Sequence, residues 1–447
     1  MDVLHVIHQF PPETQGGSES YALSLAKLQR AAGLDAQVFT GTMAGADRVK
    51  VDSYEHEGIP VRRIHRDDTY FDLHAKAWHP LVSSAFAKVL AETKPRLIHV
   101  HQWVRLSNDL VATAHEQGIP AVVQLHDMYT SCPRAFRARK DDPACTRELM
   151  GRNCWDCVPK HGHETPNELE TGVDMFATSL RRELALAHTV LVAVPAIADI
   201  LARLTPMPRD RYRTLTLGYE PRFASLGKLR GPADGERFRF AYWGGVGRHK
   251  GVHVLLQAMA RLHATGLPCE LHVLGGFESD AYEHELRALA QGLPVTFHGR
   301  FTAEQLHAVR PHCGVFPSMC IETFGFVLDE CFELGLPCVT SDIGALAARS
   351  LGAGLQATAG NPDSLADAMR RMASEVGLYQ QLVAGIPAPS PTMAEHSRQI
   401  ADVYRDVHAT PAPAPCSPAV SLEERLRFLI HQRDSALLQL LPRDGFV

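Results

Sequence analysis

The sequence predicts an α/β fold with two doubly wound domains that face a central cleft. Three observations support this prediction. Short apolar runs alternate with helical patterns in both halves of the chain, a stretch rich in glycine, proline and charge separates the halves, and 447 residues are too many for one ordinary hydrophobic core. Strands that alternate with helices imply βαβ units and mainly parallel sheets. Such domains bind ligands beyond the carboxyl ends of their strands, so we expect a ligand in the cleft.

The N-terminal half begins with a short buried strand and continues as alternating elements. Its predicted strands are Leu4–Ile7, Ala36–Phe39, Val61–Ile64, Leu97–Val100, Ala121–Gln124 and Thr189–Val194. Its predicted helices are Ser18–Ala32, which ends at Gly33, and His79–Glu92. The alternation restarts after the glycine- and proline-rich stretch. The strands predicted there are Phe238–Tyr242, Glu270–Leu274, Val295–His298, Cys313–Phe316 and Cys338–Thr340, and the helices include Val252–Leu262 and Ala281–Ala290.

These elements divide the chain into five predicted parts. They are an N-terminal domain over 1–220 with a cysteine-rich insert over 132–157, a linker over 221–236, a C-terminal domain over 237–390, a terminal helix over 391–408, and a proline-rich linker with an amphipathic helical tail over 409–447. In the tail, Leu422, Leu426 and Leu429 recur at helical spacing. Their apolar face requires a partner surface: the chain's own domains, a second copy in a homodimer, or a membrane surface.

Composition and charge exclude several classes of protein. The chain has a formal net charge of −5, 45% hydrophobic residues and 21% charged residues, which is typical of a soluble globular protein and not of a nucleic-acid binder. Its first residues lack the basic region of a signal peptide, and no apolar run is long enough to span a membrane. We therefore expect a cytoplasmic protein, either free or peripheral to the inner face of the membrane. Its ten cysteines are then expected to be reduced or metal-bound.

The most informative segment is Pro317–Glu330, in which two glutamates stand on either side of a Phe-Gly pair. The pattern predicts a loop followed by a helix that begins near Phe324 and Gly325, with Glu322 in the loop and Glu330 about two turns inside the helix. The unpaired N–H groups of a helix start attract anions. Carboxylates accept hydrogen bonds from hydroxyl groups. This combination is typical of a pocket for a nucleotide sugar.

Together with four other motifs, this segment gives the chain a specific resemblance. In their order and spacing, the five motifs resemble the retaining family 4 glycosyltransferases, whose GT-B fold consists of two Rossmann-like domains. The resemblance covers roughly residues 1–408. The four other motifs are Phe10–Glu19, His99–His101, His126–Asp127 and Gly244–Gly251.

The resemblance implies the transfer of a glycosyl group from a nucleotide diphosphate sugar to an acceptor hydroxyl, with retention of the anomeric configuration. The acceptor would be a glycan, a lipid-linked saccharide or a small metabolite, bound by the N-terminal domain, and the donor would be bound by the C-terminal domain. The chemistry would need no cofactor, because helix ends and a lysine perform the role of a divalent cation. Two alternatives are a non-catalytic nucleotide-sugar-binding assembly subunit and a sugar-nucleotide epimerase of the same fold.

The resemblance also assigns roles to three catalytic candidates. His126 would contact the donor sugar near the reacting centre. Lys250 would stabilise the nucleoside diphosphate as negative charge develops on bond breaking. Glu322 would contact hydroxyl groups of the donor sugar, and we do not assign it as a covalent nucleophile.

Other donor-binding candidates act through the backbone or through a carboxylate. The glycines of the first loop would approach the diphosphate closely, two N–H groups at the helix start would meet the sugar or phosphate, and Glu330 would bind the ribose. These residues are Gly16, Gly17, Phe324, Gly325 and Glu330.

One position departs from the family pattern. Many members have a phosphate-binding arginine where this chain has Gly245. Arginine binds phosphate with two parallel hydrogen bonds, so its loss would weaken donor binding unless another group replaces it. Arg248 is the first candidate for that role and Arg300 the second.

The cysteine-rich insert suggests a metal site. Cys132, Cys145, Cys154 and Cys157 lie close together in sequence, and the last two form a C-x2-C pair. Four thiolates suit a tetrahedral structural zinc. Reduced thiols, disulfide bonds and an iron–sulfur cluster are the alternatives.

Overall fold

The computed structural model describes residues 1–14, 16–68, 77–139, 143–158, 164–205, 207–414 and 421–439, the last nine of these by their backbone only. The chain divides into two compact units. Unit 1 comprises Met1–Ala135, Arg147–Leu215 and Met393–Val447, and unit 2 comprises Phe136–Thr146 and Thr216–Thr392.

Unit 1 is built around an eight-stranded sheet. Its strands are β1 (Val3–Ile7), β2 (Ala36–Thr40), β3 (Lys50–His56), β4 (Ile59–His65), β5 (Leu97–Val100), β6 (Ala121–Gln124), β7 (Thr189–Val192) and β8 (Tyr212–Thr214). The strand order is β3-β4-β2-β1-β5-β6-β7-β8, and only β3 runs antiparallel to its neighbour. Its first six helices are α1 (Gly17–Ala31), α2 (Pro80–Thr93), α3 (Leu110–Glu116), α4 (Gly151–Cys154), α5 (Pro166–Leu186) and α6 (Pro195–Leu204).

Unit 2 contains a six-stranded sheet in which every strand pair is parallel. Its strands are β9 (Phe238–Trp243), β10 (Cys269–Leu274), β11 (Val295–Gly299), β12 (Cys313–Phe316), β13 (Cys338–Ser341) and β14 (Gly354–Ala357). Its helices are α7 (Val252–Ala264), α8 (Asp280–Leu289), α9 (Ala303–Val309), α10 (Phe326–Glu333), α11 (Gly344–Arg349), α12 (Pro362–Ser374) and α13 (Leu378–Ala384). Two further helices, α14 (Met393–Ala409) and α15 (Leu422–Gln439), belong to unit 1.

The strand order of unit 2 is β11-β10-β9-β12-β13-β14. The order therefore reverses between β9 and β12, and ligands of doubly wound sheets bind at that reversal. The last residues of the two strands, Trp243 and Phe316, pack edge to face with ring centroids 4.8 Å apart. This contact brings the loops that follow β9 and β12 to one place.

The predicted α/β alternation is confirmed, and three strands were missed: β3, β14 and the three-residue β8. β3 is an exposed edge strand with polar residues, so no alternation of buried and exposed positions marks it in the sequence. It joins β4 through a tight turn at Glu57 and Gly58, both of which have positive φ. β14 is short and half exposed. The predicted strand Thr189–Val194 ends earlier, at Val192, because Pro195 starts α6.

Helix α10 begins where the sequence placed it, but Glu330 lies less deep than expected. Gly325 precedes the helix with a φ of 78°, so Glu330 is only the fifth helical residue, just over one turn inside instead of two. Glycine is needed at position 325 for a second reason. A Cβ there would lie 2.4 Å from Leu346 Cδ2.

Two chain segments pack differently from their sequence interpretation, and the packing of the predicted terminal helix was left open. Within the predicted linker, Phe223 is fully buried and joins the core of unit 2. The insert residues 136–146 also belong to unit 2, where Ala144 N donates a 2.8 Å hydrogen bond to Met319 O. Helix α14 packs on α1 in unit 1, where its Tyr404 meets Gln29.

The predicted tail helix has one face packed on unit 1 and one face exposed. Glu424 forms a buried ion pair with Arg182 of α5 at 3.2 Å, and Phe428 packs against Trp78. Leu422 and Leu429 are 71% and 62% exposed. Over residues 422–430, whose side chains the structure describes, docking on the chain itself therefore accounts for one side of the helix only. None of the described helices is long and apolar enough to cross a membrane.

We predict that Gly325→Ala destabilises the protein more than Gly377→Ala does. Both glycines have positive φ, which costs a residue with a Cβ about 1–2 kcal/mol. A Cβ at Gly377 meets nothing within 4 Å, whereas one at Gly325 would overlap Leu346. The overlap adds about 1–3 kcal/mol. Urea unfolding followed by circular dichroism measures both losses, and equal losses would contradict the packing argument.

Candidate active site

The loops after β9 and β12 are in direct contact. The first contains a short 3-10 turn, Arg248–Lys250, and the second begins at Pro317. Gly251 has a φ of 75°, and a Cβ there would lie 2.0 Å from Pro317 O. In addition, Met319 N donates a 2.8 Å hydrogen bond to His249 O. Glycine at position 251 therefore permits the approach that brings two sequence motifs into one site.

An ion pair joins the two loops. Lys250 Nζ lies 2.5 Å from Glu322 Oε1, and Ser318 Oγ donates to the same oxygen at 2.9 Å. Burial by itself would raise the pKa of Glu322, but the Lys250 ammonium holds that pKa below its usual value. Burial would likewise lower the pKa of Lys250, but the carboxylate raises it. Both groups are therefore charged at neutral pH.

Glu330 is almost completely buried, and two groups satisfy its carboxylate. Trp243 Nε1 donates a 2.7 Å hydrogen bond to Oε2, and the Arg222 guanidinium pairs with Oε1. Burial raises the pKa of Glu330, and the charge of Arg222 opposes that rise. Arg222 is 45% exposed, so this cation lies at the outer side of the carboxylate.

Sequence reasoning missed Arg222, which lies 108 positions before Glu330 in a segment that was interpreted as linker. Glu333, one turn after Glu330, fixes that segment on α10. It accepts hydrogen bonds from Tyr219 OH at 2.6 Å and from the backbone N–H of Phe223 at 2.8 Å. No local sequence pattern predicts the Arg222–Glu330 pair, because the two residues meet only through tertiary packing.

Arg349 was also missed. Its guanidinium lies 3.7 Å from the centroid of the Phe324 ring, and it donates hydrogen bonds to Phe324 O at 3.1 Å and to Gly325 O at 3.2 Å. It also binds Asp329 Oδ1 at 2.7 Å. Arg349 therefore holds the backbone that leads into α10.

The side chain of Arg248 packs against α8. Its guanidinium pairs with Glu285 and lies 4.8 Å from the centroid of the Tyr282 ring. The replacement of the missing family arginine by Arg248 stays a prediction. Gly245 itself has open space, because a Cβ there would meet nothing within 4 Å. Arg300 lies beside the backbone of Gly276.

In unit 1, the first loop leads into α1 through Gly16, whose neighbour Gly17 is the first helical residue. The Glu19 carboxylate folds back over this turn and accepts a 2.8 Å hydrogen bond from Ser18 Oγ. A Cβ at Gly16 would lie 2.5 Å from Glu19 Oε2, so the turn leaves no room for a larger residue unless Glu19 moves.

His126 follows the end of β6 and is the last member of a row of histidines. His101 Nδ1 lies 3.0 Å from His126 Nε2, and His5 Nδ1 lies 3.0 Å from His101 Nε2. Burial, followed by the neighbouring His396 and His8, lowers the pKa of His126 to about 3. His126 is therefore neutral at physiological pH. His99 and His101 lie in the core of unit 1.

The predicted zinc ligands are divided between the units, with Cys145 in unit 2 and Cys132, Cys154 and Cys157 in unit 1. Cys157 Sγ lies 3.7 Å from an Arg134 guanidinium nitrogen. No disulfide bond joins the cysteines that the structure describes. In the described ranges, metal-ligating atoms lie within 4.8 Å of one another in two groups, His5/His99/His101 and Asp67/Asp68/His79. Neither group contains a cysteine, and the zinc site stays a prediction.

Comparison with known protein families identifies the family of this chain. A family described as "Glycosyltransferase Family 4" matches residues 15–223, and one described as "Glycosyl transferases group 1" matches residues 237–375. The chain belongs to the family 4 glycosyltransferases. This glycosyltransferase is 25% identical over 427 residues to the D-inositol 3-phosphate glycosyltransferase of Nocardioides sp., which covers 88% of this chain and 86% of that protein. It is 24% identical over 362 residues to the glycogen synthase of Mycobacterium tuberculosis, with 77% and 79% covered.

Solved structures show that the glycosyltransferase has the predicted GT-B fold. Sucrose-phosphate synthase from Thermosynechococcus elongatus matches it with a TM-score of 0.64 and 20% identity, over 92% of this chain and 100% of that one. HepE from Anabaena, solved in complex with UDP, matches with a TM-score of 0.61 and 17% identity, over 91% and 100%.

The lowered pKa of Glu322 predicts how stability depends on pH. Since the ion pair lowers the folded-state pKa of Glu322, its contribution is present at pH 7 and is lost as the pH falls through that pKa. In Lys250→Met, the ammonium no longer opposes burial, so the pKa of Glu322 is higher than in the wild type. The stability difference between wild type and Lys250→Met should therefore be largest near neutrality and shrink on acidification.

Urea unfolding at a series of pH values measures this difference. Lys27→Met is the matched control, because Lys27 pairs with Glu57 at 2.6 Å and both side chains are half exposed. Exposed pairs contribute about 0–1 kcal/mol, so the control should show a small difference throughout. A difference for Lys250→Met that stays constant or grows on acidification would contradict the prediction.

Proposed function

We propose that the protein is a retaining glycosyltransferase that moves a sugar from a nucleotide diphosphate sugar to an acceptor hydroxyl. The observation that carries the proposal is the Lys250–Glu322 pair at the reversal of strand order in unit 2, with Glu330 buried on the adjacent helix. The cation and the helix N-terminus match the diphosphate of such a donor. The two carboxylates match its sugar hydroxyls and its ribose hydroxyls.

The charges of the site support a specific arrangement of the donor, with the diphosphate at Lys250, the sugar at Glu322 and the ribose at Glu330. Lys250 is the cation for the diphosphate, and Glu322 Oε1 already has three donors, from Lys250, Ser318 and Cys320. Its second oxygen, Oε2, is the acceptor for a sugar hydroxyl. Glu330 accepts the ribose hydroxyls once the exposed Arg222 moves from its outer side. The structures of HepE with UDP and with UDP-glucose support a nucleotide diphosphate in this fold.

The ion pair also supports a mechanism without a covalent intermediate. A carboxylate that is held by an ammonium group is a weak nucleophile, so Glu322 is better suited to binding than to attack. In the proposed step the bond from the anomeric carbon to the phosphate oxygen breaks, and the acceptor oxygen bonds to that carbon from the same face. The acceptor proton passes to the departing phosphate oxygen. Lys250 stabilises the charge that develops on the diphosphate.

Further parts of the proposal rest on the family pattern and on the exposed leucines of α15. The pattern assigns His126 to the donor sugar and requires no cofactor for the chemistry, and the four cysteines of the insert would hold a structural zinc. The exposed leucines of α15 support contact with a second copy or with a membrane surface. The acceptor belongs to the glycans, lipid-linked saccharides or small metabolites.

One observation favours a second candidate, a non-catalytic subunit that binds nucleotide sugars. Gly245 stands where many family members have a phosphate-binding arginine, and Arg248 is paired with Glu285. Incubation of the protein with UDP-, GDP- and ADP-sugars in water separates the candidates. Slow hydrolysis of one donor with retained configuration, followed by NMR, is expected for the enzyme. Binding without any turnover would favour the subunit.

We predict that Glu330→Ala abolishes the thermal shift produced by the best donor. A ligand at 100 times its Kd stabilises the native state by about 2.7 kcal/mol. Loss of the ribose-binding carboxylate removes charge-assisted hydrogen bonds worth about 1.5–3 kcal/mol each, which removes most of that shift. Glu375→Ala, which alters a half-exposed carboxylate of the same unit, is the control. A full shift in Glu330→Ala would refute the ribose role.

We predict that Gly245→Arg tightens nucleoside diphosphate binding. The position has open space for a Cβ and no left-handed backbone, so the variant should fold normally. A charged hydrogen bond to phosphate is worth about 1.5–3 kcal/mol, so the Kd for UDP, GDP or ADP should fall about 10-fold or more in titration calorimetry. Unchanged affinity would show that position 245 does not face the diphosphate.

A further inference from the structure

Part of the cysteine-rich insert packs on the two loops that carry Lys250 and Glu322. This part consists of residues 136–139 and 143–146, which belong to unit 2 and which we call the insert arm. We propose that the insert arm is a positioning element of the candidate site, in which Phe136 holds the turn that presents Lys250. The inference rests on the proposed function, because the position of Lys250 matters to catalysis only if this cation meets the donor.

The two halves of the insert arm are joined by their own hydrogen bonds. Cys145 N donates to Arg137 O at 2.7 Å, and Arg137 Nη1 donates to Cys145 O at 3.0 Å. Arg137 and Ala144 have φ angles of 46° and 56°, in the left-handed region that disfavours residues with a Cβ. Such conformations persist where surrounding contacts impose them. The contacts of the arm with unit 2 therefore determine its backbone.

The first of these contacts is an aromatic stack in the loop after β9. The rings of Phe136 and His249 are nearly parallel, with centroids 4.3 Å apart and an angle of 16° between their planes. His249 is the central residue of the 3-10 turn Arg248–Lys250. Its ring and the Lys250 side chain therefore leave the same turn at adjacent positions. A ring that is held against Phe136 restricts the rotation of this turn.

The second contact reaches the loop after β12. Ala144 N donates a 2.8 Å hydrogen bond to Met319 O, and Met319 N donates a 2.8 Å hydrogen bond to His249 O. Met319 lies three positions before Glu322. The arm therefore contacts the loop of each member of the Lys250–Glu322 pair, and Met319 connects the two loops.

A third region of unit 2 leaves room for the arm. Gly360 lies between β14 and α12, and a Cβ there would lie 2.9 Å from Pro143 Cγ and 3.9 Å from Met319 Cε. Both halves of the arm are thus in contact with unit 2, through Phe136 in the first half and through Pro143 and Ala144 in the second. An element that is fixed at both halves is suited to hold the loops in one arrangement.

The stack positions the turn without adding charge to the site. Burial lowers the pKa of His249, the Lys250 ammonium lowers it further, and the carboxylates of Glu322 and Glu278 oppose the change. His249 is therefore neutral at pH 7. The flat ring meets Phe136 as an uncharged group, and Lys250 stays the cation of this turn.

A contact that serves stability alone is the competing explanation. Phe136 is 47% exposed although one face of its ring is covered by His249. A ring that is half exposed buries little apolar surface, so its contribution to the stability of the whole unit is small. The effect of Phe136 is therefore expected at the neighbouring turn and not in the global unfolding of the protein.

Hydrogen exchange of the full chain, followed by mass spectrometry without any ligand, tests the positioning role. In Phe136→Ala, peptides that cover 247–251 and 317–322 should exchange about 3- to 10-fold faster, because local opening of these loops becomes easier. Other peptides of unit 2 should keep their wild-type rates. Leu351→Ala is the matched control, because Leu351 is a 69% exposed apolar residue of the same unit. Unchanged exchange in the two loops, or a uniform increase throughout unit 2, would overturn the proposal.

Donor hydrolysis tests whether Phe136 acts through His249. In Phe136→Ala, kcat should fall about 3- to 10-fold with little change in KM, because a displaced ammonium stabilises the departing diphosphate less well. Phe136→Tyr keeps a flat ring and should restore the wild-type rate. The double variant Phe136→Ala/His249→Ala should lose no more than His249→Ala alone, since residues that act through one contact are not additive. Additive losses, or no rescue by tyrosine, would contradict the inference.

The two measurements separate failure of the inference from failure of the proposed function. Hydrogen exchange needs no turnover, and His249→Ala removes the other ring of the stack if Phe136→Ala does not fold. Turnover of a nucleotide sugar with unchanged exchange in the variants would overturn the role of the arm alone. Faster exchange of both loops in a protein that hydrolyses no nucleotide sugar would support the positioning of the turn and overturn the proposed function.

Discussion

The ion pair between Lys250 and Glu322 is the constraint on which the candidate site of unit 2 depends. Its members are 72 positions apart, and they meet because β9 and β12 are neighbours where the strand order reverses. The close approach of Gly251 to Pro317 brings the two loops together. Partial burial would disfavour either charge alone, so each group keeps the other ionised. The charges of the candidate site are therefore in place before any ligand binds.

The two units handle their polar groups in different ways. In unit 2, buried carboxylates are neutralised by cations: Glu322 by Lys250 and Glu330 by Arg222. In unit 1, buried histidines stay uncharged and bind one another, because burial strongly favours the neutral ring. Charge suits the proposed stabilisation of a departing diphosphate, whereas neutral rings avoid the cost of a buried charge that has no counter-ion.

Arginine residues show where sequence reasoning reached its limit. The family pattern identified the missing arginine at Gly245 and suggested Arg248, but the structure shows the Arg248 guanidinium with Glu285. The arginines that contact the Pro317–Glu330 segment are Arg222 and Arg349, which no motif marked. An arginine side chain is long, and its partner is chosen by packing across elements, so its position in the sequence says little about where its charge lies.

Patterns along the chain were enough to predict the two α/β units, most of their strands, the start of α10 next to Gly325 and the motif that contains Glu322 and Glu330. These features follow from apolar periodicity, from glycines with positive φ and from motif spacing, all of which act over short stretches of chain. Three features depend on contacts that no local pattern predicts: Arg222 covers Glu330, the 136–146 segment belongs to unit 2, and His5 and His101 connect Gln29 to His126. Those contacts join residues that are distant in sequence. The neighbouring strands β1 and β5 bring His5 and His101 together, whereas hydrogen bonds to Glu333 hold the Arg222 segment on α10.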